Sequence, residues 1–412
     1  MKTFLSLSEA RKSALWNHLL KLSSVSLPTG KTGTKRVIDH LGYVQIDTLT
    51  VIERAHHHTL WVRQPSYTPQ ILDELLAKDR WVFEYWGHAA SYLPMHDYRY
   101  YLPKMREFPR KNSWEKRWLL ANKKLADSIL KCIRDEGAMG SKEFKAQPGT
   151  GKRSWWNWKP AKTGLELLFW QGKLMVSERR NFQRIYDLTE RVLPGNLNTT
   201  MPGDDELGRF MVLRALSVYG IAQENEIRGH IHAGKRNIVS ASLKDMLASG
   251  EVMEVTVENF EKQKYFALPK TLEDSSKSLP EISNSGVFLL SPFDNMIILR
   301  ERMKRLFNFD YTIECYIPEK KRKYGYFTLP ILWGDTFIGR LDPKVDRKQK
   351  TFYVRHLAFE QEFKKAADLV PLLETQLKEL ARFNQCEQIK IEKVSPIKIE
   401  KLLKKKIISA HN

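Results

Sequence analysis

Three times in its first 270 residues the chain moves from apolar positions at helical spacing to short alternating segments that read as a pair of strands. The clearest case is "SASLKDMLASGEVMEVTVEN". Gly250 closes a helix there, "EVMEVTVE" alternates apolar and polar residues, and "KQKYFAL" returns as the second strand. An earlier copy runs from the helix "WLLANKKLADSILKCIRDEG" through the short "SKEF" to a helix starting near Thr163, with Leu165, Leu168 and Phe169 on one face. Gly172 stops that helix, and "QGKLMVSERRNFQRIYDL" gives two strands around a basic loop. The first copy has helices near residues 7–22 and 34–41, the strand-like "YVQIDTLTV", a helical stretch from Ile71 to Lys78, and "RWVFEYWGHAASYLP", two strands turning at Gly87.

Helix, helix, helix, two-stranded ribbon is the order of a winged helix, whose third helix enters a major groove while its ribbon touches backbone. The competing reading is an ordinary α+β protein whose helices and hairpins alternate by chance. Beyond the third copy, "KTLEDSSKSLPEISNSG" is polar and reads as a linker. "GVFLLSPFDNMIIL", "YTIECYIP", "YGYFTLPILWGDTFIGRLDPKVD" and "TFYVRHLAF" then read as short strands, and "AADLVPLLETQLKELARFNQC" as an amphipathic helix. The expected class is α+β: three tandem winged-helix motifs, then a β-barrel-like domain and a C-terminal helix. The expected divisions are 1–115, 116–200 and 201–270 for the winged helices, 271–286 for the linker, 287–395 for the barrel-like domain with its helix, and 396–412 for a loose basic tail.

Lysine and arginine number 68 against 48 acidic residues, a formal charge of +20, which favours a polyanionic partner: nucleic acid or an anionic membrane. No run approaches the roughly 18 apolar residues of a membrane span. Glu9, Arg11 and Lys12 interrupt the amino-terminal segment, so it reads as a capped amphipathic helix rather than a leader, with Ser6 or Ser8 near its start. The three cysteines, Cys132, Cys315 and Cys386, are odd in number and widely spaced. This argues against a disulfide framework or a zinc site and fits a reducing cytoplasm. No dimerisation seam is evident, and a monomer is expected.

In "YVQIDTLTV", a strand places Gln45 and Asp47 on one face and Val44 and Ile46 on the other. That pair is either the wet side of a surface strand or a place for chemistry. Arg179, Arg180 and Arg184 lie in or beside the second ribbon, Lys320 to Lys323 adjoin Tyr324 and Tyr326, and Lys404 to Lys406 lie in the tail. Arginine and lysine interleaved with aromatics suit phosphate contact and base stacking, while a solvated charge run is the plainer reading and the preferred one for the tail. Trp155, Trp156 and Trp158 serve as a core anchor or as a base-stacking group. His56 to His58 are adjacent residues that cannot converge on one ion, and no metal is expected. "PTGKTGTKR" lacks the spacing of a phosphate loop, and no GxSxG elbow occurs. One carboxylate beside one amide remains as the candidate for chemistry.

Four long segments, in order, carry a resemblance: "LGYVQIDTLTVIERAHHHTLW", "EYWGHAASYLP", "WWNWKPAKTGLELLFWQGKLMVSERRNFQRIYDLTERVLP", and "LSPFDNMIILRERMKRLFNFDYTIECYIPEKKRKYGYFTLPILWGDTFIGRLDPKVDRK". Together they resemble the YcaQ/AlkZ family of bacterial DNA glycosylases, which unhook interstrand crosslinks. The resemblance implies three tandem winged helices with a β-barrel around a concave DNA-binding surface. It also implies a catalytic signature of glutamine, an apolar residue, then aspartate or glutamine, met here as Gln45-Ile46-Asp47. The aspartate form resembles the YcaQ branch, which accepts a broad range of N7-alkylated guanines and crosslinks. A monofunctional, cofactor-free glycosylase follows, acting on double-stranded DNA. The expected DNA contacts are Arg179, Arg180, Arg184, Lys321, Arg322, Lys323 and Tyr324. His88 touches the lesion or a phosphate, or is a structural turn histidine. A non-enzymatic winged-helix transcriptional regulator is the competing function, and the Gln45/Asp47 pair separates the two, because an acid facing DNA weakens simple binding.

Overall fold

The amino-terminal helix shows how local chemistry sets the elements. Ser6 and Glu9 form a reciprocal capping box: Glu9 N–H donates to Ser6 Oγ (3.2 Å) and Ser6 N–H to Glu9 Oε2 (2.8 Å). The helix spans Leu7–Asn17, shorter than the expected 7–22, because Leu19 turns left-handed at φ 58°. The computed structural model describes residues 4–20, 27–144, 158–232, 236–276 and 286–409. Trp155 and Trp156, and the side chain of Trp158, lie outside the described residues.

The described elements keep the repeated order. Helices Gly30–Leu41, Ala55–Arg63 and Pro69–Ala77 precede the hairpin Val82–Trp86 and Ala90–Pro94. Helices Lys123–Glu136 and Trp158–Trp170 precede the hairpin Leu174–Arg180 and Gln183–Leu188, joined by short Met139–Gly140 into a three-stranded sheet. Gly172 stops the Trp158 helix as expected: φ is +67°, and an added Cβ would lie 2.7 Å from Met105 Sδ. Helices Asp204–Tyr219, Glu224–His230 and Arg236–Ala248 precede Met253–Val257 and Tyr265–Ala267. Ile221–Ala222 and Phe4–Leu5 complete a four-stranded sheet with this last pair.

The contacts divide the chain into two compact units that do not follow chain order. One comprises Met1–Tyr67, Val212–His230 and Leu243–Asn412; the other comprises Thr68–Met211 and Ile231–Ser242. In the first, Ala10, Ala14 and Leu15 of the amino-terminal helix pack with Val255 and Val257 of the four-stranded sheet, and with Met296, Met303, Leu306 and Phe337. Burying each large apolar side chain stabilises by roughly 1.5–3 kcal/mol, which explains why segments remote in sequence share this core.

The carboxy-terminal part of the first unit is a curled half-barrel. Val287–Leu289, Leu329–Trp333, Thr336–Asp346 and Thr351–Phe359 run antiparallel, and Gln388–Ile391 and Val394–Ser395 pair parallel to Thr351–Phe359. The register shifts between Asp342 and Pro343, where proline has no N–H for the ladder. Three expectations fail here. "YTIECYIP" is no strand; it is a loop with 3-10 turns at Glu314–Tyr316 and Glu319–Lys321. The residues expected as a loose tail form the helix Ile397–Ser409 after Val370–Phe383, because Ile399 and Leu403 share one buried face. The expected linker begins instead as the helix Pro269–Ser276, with Leu272 buried.

Candidate active site

The strand carrying Gln45 is only Val44–Gln45, shorter than the alternation in "YVQIDTLTV" predicts. The cause is Asp47 itself. Its Oδ2 accepts the Leu49 N–H at 3.1 Å, a local side-chain turn that competes with a sheet ladder. The following backbone is held by the half-barrel. Val345 N–H donates to Val51 O (2.9 Å), and Arg347 donates to Thr50 O (2.9 Å) and Ile52 O (3.1 Å). Val44 is buried, while Gln45, Ile46 and Asp47 are half-buried.

Behind the pair stands a fixed scaffold. Arg63, at the end of helix Ala55–Arg63, grips Asp294 through two hydrogen bonds of 2.6 and 2.8 Å, and both side chains are wholly buried. The Arg63 Nε–H also donates to His18 O at 2.7 Å. Next to Asp294, Asn295 Nδ2 donates to the carbonyl of Tyr43, two residues before Gln45, at 3.1 Å. Burial alone would raise the Asp294 pKa, but the Arg63 charge and the hydrogen bonds outweigh it and hold the carboxyl below its usual range.

Asp47 has the opposite balance. Burial raises its pKa, and the Leu49 and Thr48 amides and the Arg54 charge offset this only in part. Two residues earlier in the chain, Gln45 Oε1 is buried and accepts no hydrogen bond among the described residues. A carboxylate without a bonded cation and an unsatisfied amide oxygen are groups that can receive a developing positive charge or a water. The adjacent histidines are structural neighbours: His56 Nδ1 lies 3.5 Å from the Asp47 amide, and His57 Nδ1 bonds Tyr67 OH at 2.7 Å.

The loop between the helix Arg300–Phe307 and the strand Leu329–Trp333 carries the second expected basic cluster. Glu314, buried, accepts the amides of Lys323 (3.0 Å), Tyr324 (2.8 Å) and Gly325 (2.9 Å). Arg322 Nε donates to Ile317 O at 2.8 Å, so part of its donor set is used within the loop. Lys321 and Lys323 are exposed, with Lys323 Nζ 5.0 Å from the centre of the Tyr324 ring. Arg340 covers Tyr324 at 4.2 Å. Tyr324 is therefore already packed between cations.

The second unit changes the expectation for the ribbon arginines. Arg179 bonds both carboxylate oxygens of Glu84, and Arg184 Nε donates to Glu84 Oε2 at 3.1 Å. Glu84 is buried and the Arg179 side chain only 8% exposed, so Arg179 is a structural ion pair rather than an open phosphate contact. Arg180, 57% exposed, pairs with Glu178 on the surface. His88 is half-buried in the first hairpin turn, its ring 5.3 Å from that of His232. A cavity of about 570 Å³ in this unit is lined by Trp86, Trp114, Trp170, Lys104 and Glu166. Asp47 lines no part of it. Two residues that sequence reasoning missed lie in the loop before the strand Leu329–Trp333, Cys315 and Tyr316; burial raises both of their pKa values, and the Asp47 charge adds to it. Only the resemblance of the whole segment around "TIECYIP" could have flagged them.

A family model described as DNA glycosylase AlkZ-like matches residues 38–383. Among solved structures, the Streptomyces sahachiroi DNA glycosylase AlkZ aligns with a TM-score of 0.63 at 15% identity, over 96% of this chain and 100% of that one, a likeness of fold. The family match runs across both sequence segments that build the Asp47 site, and through most of the chain: this protein belongs to the AlkZ-like family and is a DNA glycosylase.

Proposed function

We propose that this glycosylase hydrolyses the N-glycosidic bond of N7-alkylated guanine, including guanine tied into an interstrand crosslink, with Asp47 and Gln45 as the reacting pair. Alkylation at N7 makes the base cationic and a good leaving group. As the bond breaks, the sugar develops oxocarbenium character. The Asp47 carboxylate stabilises that charge and takes a proton from the attacking water, while the Gln45 amide holds the water or the sugar. The products are the free base and an abasic site, with no strand cleavage. The observations that support this reading are the Asp47 carboxyl, its pKa raised by burial, and the unsatisfied Oε1 of Gln45 two residues earlier in the chain.

A crosslinked base stays tethered to the opposite strand, so full extrusion into a deep pocket is unavailable to it. We read the three helix-and-hairpin modules as winged helices that grip duplex backbone, with Arg180, Lys321 and Lys323 as the exposed cations. The family match disfavours a non-enzymatic regulator. The test is incubation with nitrogen-mustard-crosslinked duplex. Separated strands bearing heat-labile abasic sites are expected. Duplex that stays crosslinked overturns the crosslink reading, and intact 7-methylguanine DNA overturns the N7-alkyl reading.

A further inference from the structure

Tyr316 is 78% exposed, the most exposed aromatic side chain among the described residues. Large rings usually surrender more of their surface to packing than this. Its position is not the accident of a loose loop. The 3-10 turn Glu314–Tyr316 is anchored at its first residue, where the buried Glu314 carboxylate gathers the three amides of Lys323, Tyr324 and Gly325. Arg322 Nε clamps the other side through Ile317 O (2.8 Å) and Glu314 O (3.2 Å).

The loop and the Asp47 segment hang from one strand, Thr336–Asp346. Asp342 Oδ1 accepts the Phe327 N–H at 3.0 Å, and Gly325 presses so closely on Asp342 that an added Cβ would stand 2.1 Å from its Cγ. Three residues on, Val345 N–H holds Val51 O. The Tyr316 loop and the Asp47 segment are thus both fixed to positions three residues apart on one strand. The neighbouring rings are already covered: Tyr324 by Arg340 and Lys323, Tyr326 by Arg322. No cation and no ring stacks on Tyr316 among the described residues.

We propose that Tyr316 is the aromatic platform that stacks on the alkylated guanine and holds its sugar bond over Asp47, selecting cationic purines over ordinary ones. This rests on the N7-alkylguanine reading above. An electron-rich phenol ring attracts a cationic base more strongly than a neutral one, because charge adds to stacking. The same platform suits a tethered base, since one face of the ring suffices and no enclosing pocket is needed.

The test uses the full chain and two duplexes, one with a single 7-methylguanine on a 2′-fluorinated sugar that resists hydrolysis and one unmodified. Base release is followed on the ordinary 7-methylguanine duplex. Tyr316→Phe should keep wild-type discrimination between the duplexes. Tyr316→Ala should weaken binding of the methylated duplex by about 5- to 150-fold, leave the unmodified duplex nearly unchanged, and raise KM more than it lowers kcat. An unchanged melting temperature for Tyr316→Ala excludes misfolding. Equal discrimination in wild type and Tyr316→Ala overturns the proposal. Failure of wild type to release 7-methylguanine overturns the functional reading instead, and the binding ratio still decides the role of Tyr316.

Discussion

Asp294 and Asp47 lie in one compact unit and differ in everything but their chemistry. Asp294 is wholly buried and saturated: two hydrogen bonds from Arg63 and the amide of Met296 fix it, and its pKa is depressed. Asp47 is half-exposed, holds two backbone amides at most, has no salt bridge among the described residues, and has its pKa raised by burial that the amides and the Arg54 charge offset only in part. Removing an acid from water without pairing it costs free energy. Under the proposed function the Asp47 charge serves the reaction, whereas the Asp294–Arg63 pair is structural. The difference teaches that burial alone does not set a carboxylate's state: the bonded Arg63 depresses the pKa of Asp294, whereas the Arg54 charge offsets the burial of Asp47 only in part.

The largest effect should come from erasing the unpaired charge. Asp47→Asn should lower base release from 7-methylguanine DNA by about 10²–10⁴-fold while leaving DNA affinity largely intact. A folded-state pKa above the unfolded one means the ionised group opposes folding at neutral pH, and that cost fades as pH drops. Asp47→Asn should therefore melt at or above the wild-type temperature. For the same reason, the acid limb of the wild-type rate profile should lie above the pH at which a free aspartate titrates, with activity lost as pH falls through it. A variant with wild-type turnover removes Asp47 from the chemistry.

Breaking the paired acid should do the reverse. Arg63→Ala leaves Asp294 charged and buried without its partner, which should cost about 3–5 kcal/mol of stability by chemical denaturation. Because the Asp294 pKa is depressed in the folded state, its contribution is present above the unfolded value and is lost as pH falls through the folded one. The Arg63→Ala variant should therefore show a shallower acid slope than wild type. If Arg63→Ala unfolds at the wild-type denaturant concentration, the contrast between the two acids is not what the geometry indicates.

Much of this was legible before any coordinates. The helix-to-hairpin order follows from periodicity, Gly172 stops its helix as the sequence predicts, and of the two candidate caps, Ser6 and Ser8, it is Ser6 that caps the first helix, because caps and stops are local chemistry. The Gln45/Asp47 pair came from the alternation and the family signature, though the strand that suggested it ends at Gln45. What failed was long-range. "TIECYIP" has strand composition, yet Glu314 is drawn into the loop by amides nine to eleven residues away, and no spacing rule anticipates that. Its lysines make the tail look loose, although Ile399 and Leu403 have enough apolar surface to dock. Arg179 looks like a phosphate contact in the sequence because its partner, Glu84, lies 95 residues earlier.

The smallest effect concerns that last pair of neighbours. Arg179 and Arg180 are adjacent in sequence and opposite in circumstance: one is locked against a buried carboxylate, the other stands in solvent on a two-residue tie to Glu178. A surface pair of that kind contributes little to stability, so Arg180 exchanges Glu178 for a phosphate at small cost. Arg180→Ala should thus reduce the slope of log affinity against log salt by about one, with the fold unaffected. Arg179→Ala should lower the melting temperature and leave the salt slope alone once the protein is compared below its unfolding range. Equal salt slopes for wild type and Arg180→Ala would take the second hairpin off the DNA, whereas a slope change in Arg179→Ala alone would mean that Glu84 releases its partner when DNA arrives.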